Sequence, residues 1–199
     1  MKYGLEHEFF VRDNKTNELI GPLAGQFTPD ECGFLAEARG RPCDTIREAV
    51  FSLRADTYRL IKEAEKGGVT LIEEPLMEVP RPLILACRKK FGKGTLSYEN
   101  LYGHQEHHAK GRKTAGIHIS FTSEKEIYHR YHDGREYRST INGIFDFVQI
   151  FRKLDKAFAE EIKKAKRRPG FYELKSDGRI EYRSLPNNVN LDKIIEVLS

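Results

Sequence analysis

The order of apolar and polar residues along the chain predicts a mixture of helices and strands. Apolar residues recur at helical spacing in residues 44–66 and 141–167, and residues 191–198 predict a short final helix. Runs of β-branched and aromatic residues predict strands at residues 3–12, 34–39, 69–72, 115–121, 171–174 and 179–185. Three prolines within residues 75–82 predict an irregular segment there.

Turn and cap signals connect several of these segments as hairpins. Asp-Gly pairs, which are typical of tight hairpin turns, occur at residues 133–134 and 177–178. Asp44 or Thr45 can cap the first long helix, and Glu48 is placed for a capping box. Strands joined by hairpins, together with two long helices, favour an α+β fold with a largely antiparallel sheet, since the regular strand–helix alternation of a parallel sheet is missing.

Length and charge narrow the possible functions. The chain has 199 residues, 39% of them hydrophobic and 32% charged, which predicts one globular domain spanning residues 1–199. Its 34 basic and 30 acidic residues give a net charge of +4. That charge is too small to predict nucleic-acid binding, but it is compatible with an anionic substrate.

The cysteines and the apolar segments bear on the compartment of the protein. Cys32, Cys43 and Cys87 are odd in number and form no CxxC pair, so neither a disulfide framework nor a thiolate zinc site is predicted. The first ten residues lack the pattern of a signal peptide, and no apolar run reaches the roughly 20 residues of a membrane span. We therefore expect a cytoplasmic protein without membrane contact.

Two carboxylates in the first strand are candidate metal ligands. Glu6 and Glu8 are two residues apart, so a strand directs both side chains to one face. Like charges on one face repel unless a cation lies between them, and Mg²⁺ or Mn²⁺ would suit such a pair. A solvated strand face is the alternative, although the apolar neighbours of these residues favour a buried strand.

Three further short motifs alternate polar side chains along predicted strands. They are Glu37 with Arg39, His118 with Ser120, and Arg179 with Glu181 and Arg183. Imidazole is a common metal ligand, and a carboxylate between two guanidinium groups can bind a metal while the guanidiniums hold phosphate oxygens. Each motif also has a structural alternative, namely a core histidine, a surface strand or cross-strand ion pairs.

Residues 104–113 combine three histidines with basic residues in a predicted loop. Their spacing is neither HExxH nor HxxEH, so a zincin-type protease site is not predicted. We interpret the segment as a basic loop that closes over phosphates, with an unstructured polar loop as the alternative. The sequence has no P-loop, no GxGxxG and no GxSxG motif, so ATP would bind by another route.

Taken in order, four segments resemble the glutamine synthetase and glutamate–cysteine ligase superfamily, and most closely its compact phage-associated amidoligase type 2 group. The matching residues are Gly4-Leu-Glu6-His-Glu8-Phe9, then Asp30, Gly33, Glu37, Arg39 and Pro42, then Gly116-Ile-His118-Ile-Ser120, and finally Arg167, Arg168 and Arg179-Ile-Glu181-Tyr-Arg183-Ser-Leu-Pro186. Ser120 stands where the family pattern GxHxHxS has its second histidine.

The resemblance implies a largely antiparallel sheet of glutamine synthetase-like type, with helices packed on one face. It also implies that ATP phosphorylates a carboxylate to an acyl phosphate, which an amine then attacks, with Mg²⁺ or Mn²⁺ as cofactor. The family pattern assigns metal binding to Glu6, Glu8, Glu37, His118 and Glu181, stabilisation of the transferring phosphoryl group to Arg39, Arg179 and Arg183, and ATP contacts to Ser120, Arg167 and Arg168.

The expected partners are a small-molecule or peptide carboxylate and an amine, and the pattern allows an oligomer. If the protein is phage-encoded, its compartment would be the host cytoplasm. Two alternatives stay open. One is a degenerate relative that serves as a binding or structural module, which the serine at position 120 favours. The other is a metal-dependent phosphohydrolase that uses the same ligands.

Overall fold

The computed structural model describes residues 1–21, 34–91, 99–103, 112–122, 128–130, 136–138, 141–175 and 178–199. Within them lie twelve strands and five helices. In chain order they are β1 (Lys2–Asp13), β2 (Leu19–Ile20), β3 (Ala36–Arg39), α1 (Ile46–Lys66), β4 (Val69–Ile72), β5 (Leu76–Glu78), α2 (Arg81–Phe91), β6 (Glu99–Asn100), β7 (Arg112–Thr114), β8 (Gly116–Thr122), β9 (Tyr128–Arg130), β10 (Glu136–Arg138), α3 (Ile141–Ala157), α4 (Ala159–Lys164), β11 (Phe171–Leu174), β12 (Ile180–Pro186) and α5 (Leu191–Leu198).

The main sheet has eight strands, and every pair in it is antiparallel. Its order is β2-β1-β8-β12-β11-β6, and β3 and β4 pair with β1 as well. Strand β1 is long enough to pair with four others, so it lies at the centre of the sheet. The prediction of an α+β fold with a largely antiparallel sheet is confirmed.

Most helices cover one face of this sheet. Leu5 and Phe9 of β1 and Ile119 of β8 belong to a buried apolar cluster that also contains residues of α1, α3, α4 and α5. Phe10, whose side chain alternates to the other face, packs in a smaller cluster that contains Cys87 of α2. The main core therefore lies on one side of the sheet, and much of the other side is left for polar residues.

Helix α1 begins and ends as the sequence predicts. The side chain of Thr45 accepts a hydrogen bond from the backbone N–H of Glu48, and the Glu48 carboxylate accepts one from the backbone N–H of Thr45. This capping box satisfies backbone donors that have no partner within the helix. Gly67 is the C-cap, and its N–H donates to the carbonyl of Glu63.

Two predictions of secondary structure are wrong. Residues 75–82 are not irregular throughout, since they contain β5 and the start of α2. Among the described strands, β5 pairs with the short β7 alone, where flanking prolines remove little hydrogen bonding. Pro82 lies in the first turn of α2, where no backbone donor is needed. The predicted helix 141–167 is interrupted at Phe158 (φ −109°, ψ 21°) and continues only as the short α4.

The remaining hairpin predictions agree with the described strands. β9 pairs with β10 and β11 pairs with β12, both antiparallel, and Gly178 has a positive φ of 83° at the second turn. The turn at residues 133–134 lies outside the described residues. Among the described helices, none is both long enough and apolar enough to cross a membrane.

Candidate metal centre

The central strand β1 holds Glu6 between two antiparallel neighbours. Glu6 lies opposite Arg39 of β3 on one side and opposite His118 of β8 on the other. Directly opposed residues of antiparallel strands have Cβ atoms about 4.5–5.5 Å apart, so these three form one row across the sheet. Because Leu5 points into the main core, the alternation along β1 directs Glu6 to the opposite, polar face.

Glu8 forms a second row with Glu37, its direct neighbour on β3, and both residues are buried. Glu8 Oε2 accepts a hydrogen bond of 2.8 Å from the backbone N–H of Gly116, and the Glu8 carbonyl accepts one of 3.1 Å from Asn187 Nδ2. A Cβ at position 116 would lie 2.9 Å from the carbonyl oxygen of Leu185, so this close approach requires glycine. The strands thus hold two buried carboxylates side by side.

Strand β12 brings a third carboxylate to the same face. Glu181 lies opposite Ser120 of β8 and is 0% exposed. Its Oε1 lies 3.6 Å from His118 Nδ1, and its Oε2 accepts a hydrogen bond of 3.4 Å from Ser120 Oγ. Glu6 Oε2 approaches the same His118 Nδ1 to 3.7 Å. Two carboxylates from different strands therefore converge on one ring nitrogen.

Glu6, His118 and Glu181 can hold a metal ion together. One ligand atom from each lies within 4.8 Å of the others, a separation that metal–ligand bonds of about 2.0–2.6 Å can span. His118 Nδ1 is buried and finds no hydrogen-bond donor or acceptor among the described residues. Buried polar atoms nearly always have a partner, so a cation at this nitrogen would satisfy it.

The protonation state of His118 suits a metal ligand. Burial lowers the pKa of His118 well below its usual range, and the positive charge of Arg183 lowers it further. The ring is therefore neutral at pH 7. Its Nε2 lies 3.5 Å from Glu8 Oε2, on the far side from Glu6 and Glu181. Histidines that ligate metals commonly point their second ring nitrogen at a carboxylate, and this arrangement matches that pattern.

The pKa of Glu37 reflects both its burial and the other carboxylates of the centre. Burial, together with the neighbouring carboxylate of Glu6, raises the pKa of Glu37 to about 9. Arg39 opposes these effects, since its Nε donates a hydrogen bond to Glu37 Oε1. At pH 7 without a cation, Glu37 therefore retains its proton. A divalent ion beside it would favour the ionised carboxylate instead.

Two of the three arginines expected to stabilise a phosphoryl group contact carboxylates of the candidate metal centre. Arg39 contacts Glu37 on β3, and Arg183 Nη1 donates to Glu181 Oε1 on β12. Arg179 immediately precedes β12, where its carbonyl accepts a hydrogen bond of 2.9 Å from the backbone N–H of Lys175. The structure thus brings Arg39 and Arg183 into contact with candidate metal ligands.

Arg167, expected to contact ATP, makes its described hydrogen bonds to main-chain carbonyls. Its Nε donates to Ser184 O at 3.1 Å, its Nη1 to Ala115 O at 3.2 Å, and its Nη2 to Arg183 O. These bonds tie the start of β8 to β12 at the register shift between Tyr182 and Leu185. In this structure Arg167 therefore supports the shape of the strands that carry the centre.

The other residues singled out from the sequence lie farther along the chain or outside the described part. Arg168 is half-buried in the loop that follows α4. Residues 30–33 of the second motif and residues 104–111 of the histidine-rich segment lie outside the described residues. Of Arg112 in β7 the backbone alone is described.

Two charged residues of the centre were missed in the sequence. Glu173 lies directly opposite Glu181 on β11, and Lys175 Nζ lies 2.9 Å from Glu173 Oε2 and 3.6 Å from Glu181 Oε2. The signal was present, since Glu173 lies in the strand that the hairpin prediction pairs with Glu181, and Lys175 follows directly after the end of that strand. A comparison of the chain with protein-family models and with curated proteins found no match.

Proposed function

We propose that the protein is an ATP-dependent carboxylate–amine ligase that uses divalent cations at this centre. The observation that supports the proposal best is the buried Nδ1 of neutral His118, which faces Glu6 and Glu181 and has no partner among the described residues. One imidazole and two carboxylates form a donor set that suits Mn²⁺ or Mg²⁺, whereas the absence of thiolates makes the set less suited to soft metals.

Glu8 and Glu37 would serve a second cation or extend the first site. The two carboxylates face each other across β1 and β3, and both are buried. The raised pKa of Glu37 reflects the cost of placing its charge among like charges in a dry site. A cation between the two rows would offset that cost, which is the usual reason for several carboxylates to share one buried face.

The proposed reaction explains why cationic residues adjoin the carboxylates. ATP supplies the phosphoryl group, and bound cations would offset the charge of its phosphates. The substrate carboxylate oxygen bonds to the γ-phosphorus as the bond to ADP breaks. The amine nitrogen then bonds to the acyl carbon, phosphate leaves, and the nitrogen loses a proton. Arg183 and Arg39 would hold oxygens of the transferring phosphoryl group and of the departing phosphate.

The substrates implied are a small-molecule or peptide carboxylate and an amine. Ser120 has a short side chain whose hydroxyl donates a hydrogen bond to Glu181. It would therefore contribute a hydroxyl where the family pattern contributes an imidazole. In this proposal it orients the Glu181 carboxylate. The direct protein contacts to ATP would then fall more heavily on the arginines than they do in the family pattern.

The proposal is tested by ATP turnover with and without a panel of carboxylates and amines, in the presence of Mg²⁺ or Mn²⁺. Release of phosphate that requires both a carboxylate and an amine supports the ligase. Release of phosphate from ATP without either would replace the ligase by a phosphohydrolase. Cation binding with no turnover under any condition would leave a binding module in its place.

A further inference from the structure

The hairpin of β11 and β12 contains a compact group of four charged residues beside the proposed cation site. Glu173 and Glu181 are directly opposed, which places like charges on adjacent strands. Lys175 and Arg183 neutralise them: Glu173 Oε2 lies 2.9 Å from Lys175 Nζ and 3.2 Å from Arg183 Nη1. All four side chains are between 0% and 13% exposed, so solvent screens their interactions poorly.

Glu181 belongs to this charged quartet and to the proposed metal centre at the same time. Its Oε1 accepts from Arg183 and lies 3.6 Å from His118 Nδ1, while its Oε2 lies 3.6 Å from Lys175 Nζ. Any cation bound between Glu181 and His118 would therefore lie close to two fixed positive charges. The affinity for that cation depends on how strongly Lys175 and Arg183 are attracted to Glu181 and how strongly to Glu173.

The backbone of the hairpin fixes the position of Lys175. Its N–H donates to the carbonyl of Arg179 at 2.9 Å, and its carbonyl accepts from the N–H of Gly178 at 3.0 Å. Gly178 has a φ of 83°, a conformation that side-chain-bearing residues rarely adopt. These bonds hold the backbone of Lys175, and its Nζ lies 2.9 Å from Glu173 Oε2 and 3.6 Å from Glu181 Oε2.

We propose that Glu173 and Lys175 are positioning residues that set the cation affinity of the centre, an inference that rests on the proposed cation site at Glu181. Lys175 lowers the affinity, because its charge opposes a cation at Glu181. Glu173 raises the affinity, because it draws the charges of Lys175 and Arg183 toward itself. The two residues act in opposite directions on the same equilibrium, and their sum adjusts how readily Mg²⁺ or Mn²⁺ enters and leaves during turnover.

The test is the Mn²⁺ affinity of the full chain, measured by electron paramagnetic resonance or calorimetry, for wild type, Lys175→Met, Glu173→Gln and the double variant. We expect Lys175→Met to bind Mn²⁺ about tenfold more tightly and Glu173→Gln about tenfold more weakly, since each removes one poorly screened charge near the ion. The double variant should return to within about threefold of wild type, because the opposing charges are removed together.

A matched control is available in α1, where Lys62 and Glu65 form an exposed ion pair of 2.7 Å. Lys62→Met and Glu65→Gln make the same chemical changes away from the centre and should leave Mn²⁺ affinity unchanged. A purely structural role for Glu173 and Lys175 would lower the melting temperature without moving affinity in opposite directions. Lys175→Gln is the second choice if Lys175→Met fails to fold.

Two results would overturn the inference. If wild type binds Mn²⁺ and the two single variants change its affinity by less than twofold, or in the same direction, Glu173 and Lys175 do not set the affinity and the proposed cation site stands. If wild type binds no Mn²⁺ at millimolar concentration, the cation site itself is wrong and the inference falls with it.

Discussion

Two buried polar clusters include adjacent residues of β12, Tyr182 and Glu181, whose side chains lie on opposite faces of the sheet. The clusters differ in how their charge is balanced. On the helix-covered face, Asp155 of α3 accepts hydrogen bonds from Tyr182 Oη at 2.6 Å, Tyr102 Oη at 2.9 Å and Gly170 N at 3.0 Å. On the polar face, Glu181, which precedes Tyr182, lies with Glu6 close to Nδ1 of His118. This nitrogen has no hydrogen-bond partner among the described residues.

The first is a polar network completed by the protein itself, whereas the second is a site that could hold a metal ion. A lone carboxylate that receives three donors is satisfied by the protein itself, and its role is to join α3 to the loop before β11 and to β12. Burial and the charge of Asp155 raise the pKa of Tyr182 well above its usual range, so the donor stays protonated. The group around His118 instead leaves the buried Nδ1 of that ring without a hydrogen-bond partner among the described residues, and a cation at this nitrogen would satisfy it.

The largest expected effect is on stability, from Asp155→Ala. This change removes the acceptor of three hydrogen bonds, one of them from the buried hydroxyl of Tyr182. We expect the free energy of unfolding to fall by about 4 kcal/mol, measured by urea denaturation. Mn²⁺ affinity of the folded fraction should stay within about twofold of wild type, because the network lies on the other face of the sheet. A large change in affinity would show that the two groups are coupled.

The substitution Glu181→Gln should instead weaken cation binding and leave the stability almost unchanged. Losing one charged ligand should weaken Mn²⁺ binding at least 100-fold, equivalent to about 2.7 kcal/mol. In the absence of divalent cations the stability should change by less than about 1 kcal/mol, because the substitution also removes a like charge facing Glu173. Glu65→Gln on the exposed surface of α1 is the control for each measurement. Unchanged Mn²⁺ affinity in Glu181→Gln would remove this residue from the ligand set.

His7, on the helix-covered face of β1, is a buried titratable residue outside both clusters. Its ring nitrogens are buried, with Glu73 Oε1 at 3.4 Å from Nε2, and burial lowers the pKa of His7 to about 3. The unfolded chain, with a histidine pKa near 6.5, therefore binds a proton that the folded protein excludes between about pH 6.5 and pH 3. Stability from this source is complete above that window and is lost as the pH falls through it.

The variant His7→Gln cannot titrate in this range and should retain more of its stability in acid. Between pH 7 and pH 4.5 we expect wild type to lose about 2 kcal/mol more than the variant, measured by urea denaturation at each pH. Equal losses in the two proteins would mean that His7 is solvated or protonated in the folded state.

The smallest expected effect is that of Tyr102→Phe. Tyr102 is half exposed, so water can replace part of what its hydroxyl gives to Asp155. We expect a loss of about 1 kcal/mol in the free energy of unfolding, with no change in cation binding. Burial and Asp155 raise the pKa of the Tyr102 hydroxyl to about 12. A loss as large as that of Asp155→Ala would show that Tyr102 is essential to the network.

Local sequence patterns predicted most of the features that depend on residues close together in the chain. The alternation along β1 identified Glu6 and Glu8 as sharing a face, and the Thr45–Glu48 spacing located the start of α1. The pairing that places Glu6 between Arg39 and His118 depends on strand register across distant parts of the chain, which periodicity does not specify. That Glu6, His118 and Glu181 serve one metal site was an expectation from the family resemblance, and the strand pairing supplies their geometry.

What the sequence did not reveal has identifiable physical causes. The three prolines near α2 concealed that helix, because a proline is a strong breaker in the interior but is tolerated in the first turn. The contacts of Arg167 to backbone carbonyls follow from the register shift in β12, for which the sequence offers no local signal. Glu173 and Lys175 were overlooked because they are charged residues in an ordinary hairpin, and only pairing with Glu181 gives them significance.

The hydrogen bond from Asn187 to the Glu8 carbonyl joins residues 179 positions apart in the chain. Closing so long a loop is entropically costly and slow, so contacts of this kind form late in folding. The cation centre, built from β1, β8 and β12, cannot exist in any fragment that lacks one of those strands. During synthesis the ribosome must release the chain through Pro186, the end of β12, before the proposed cation site can form, and an ion bound there would stabilise the strands that build it.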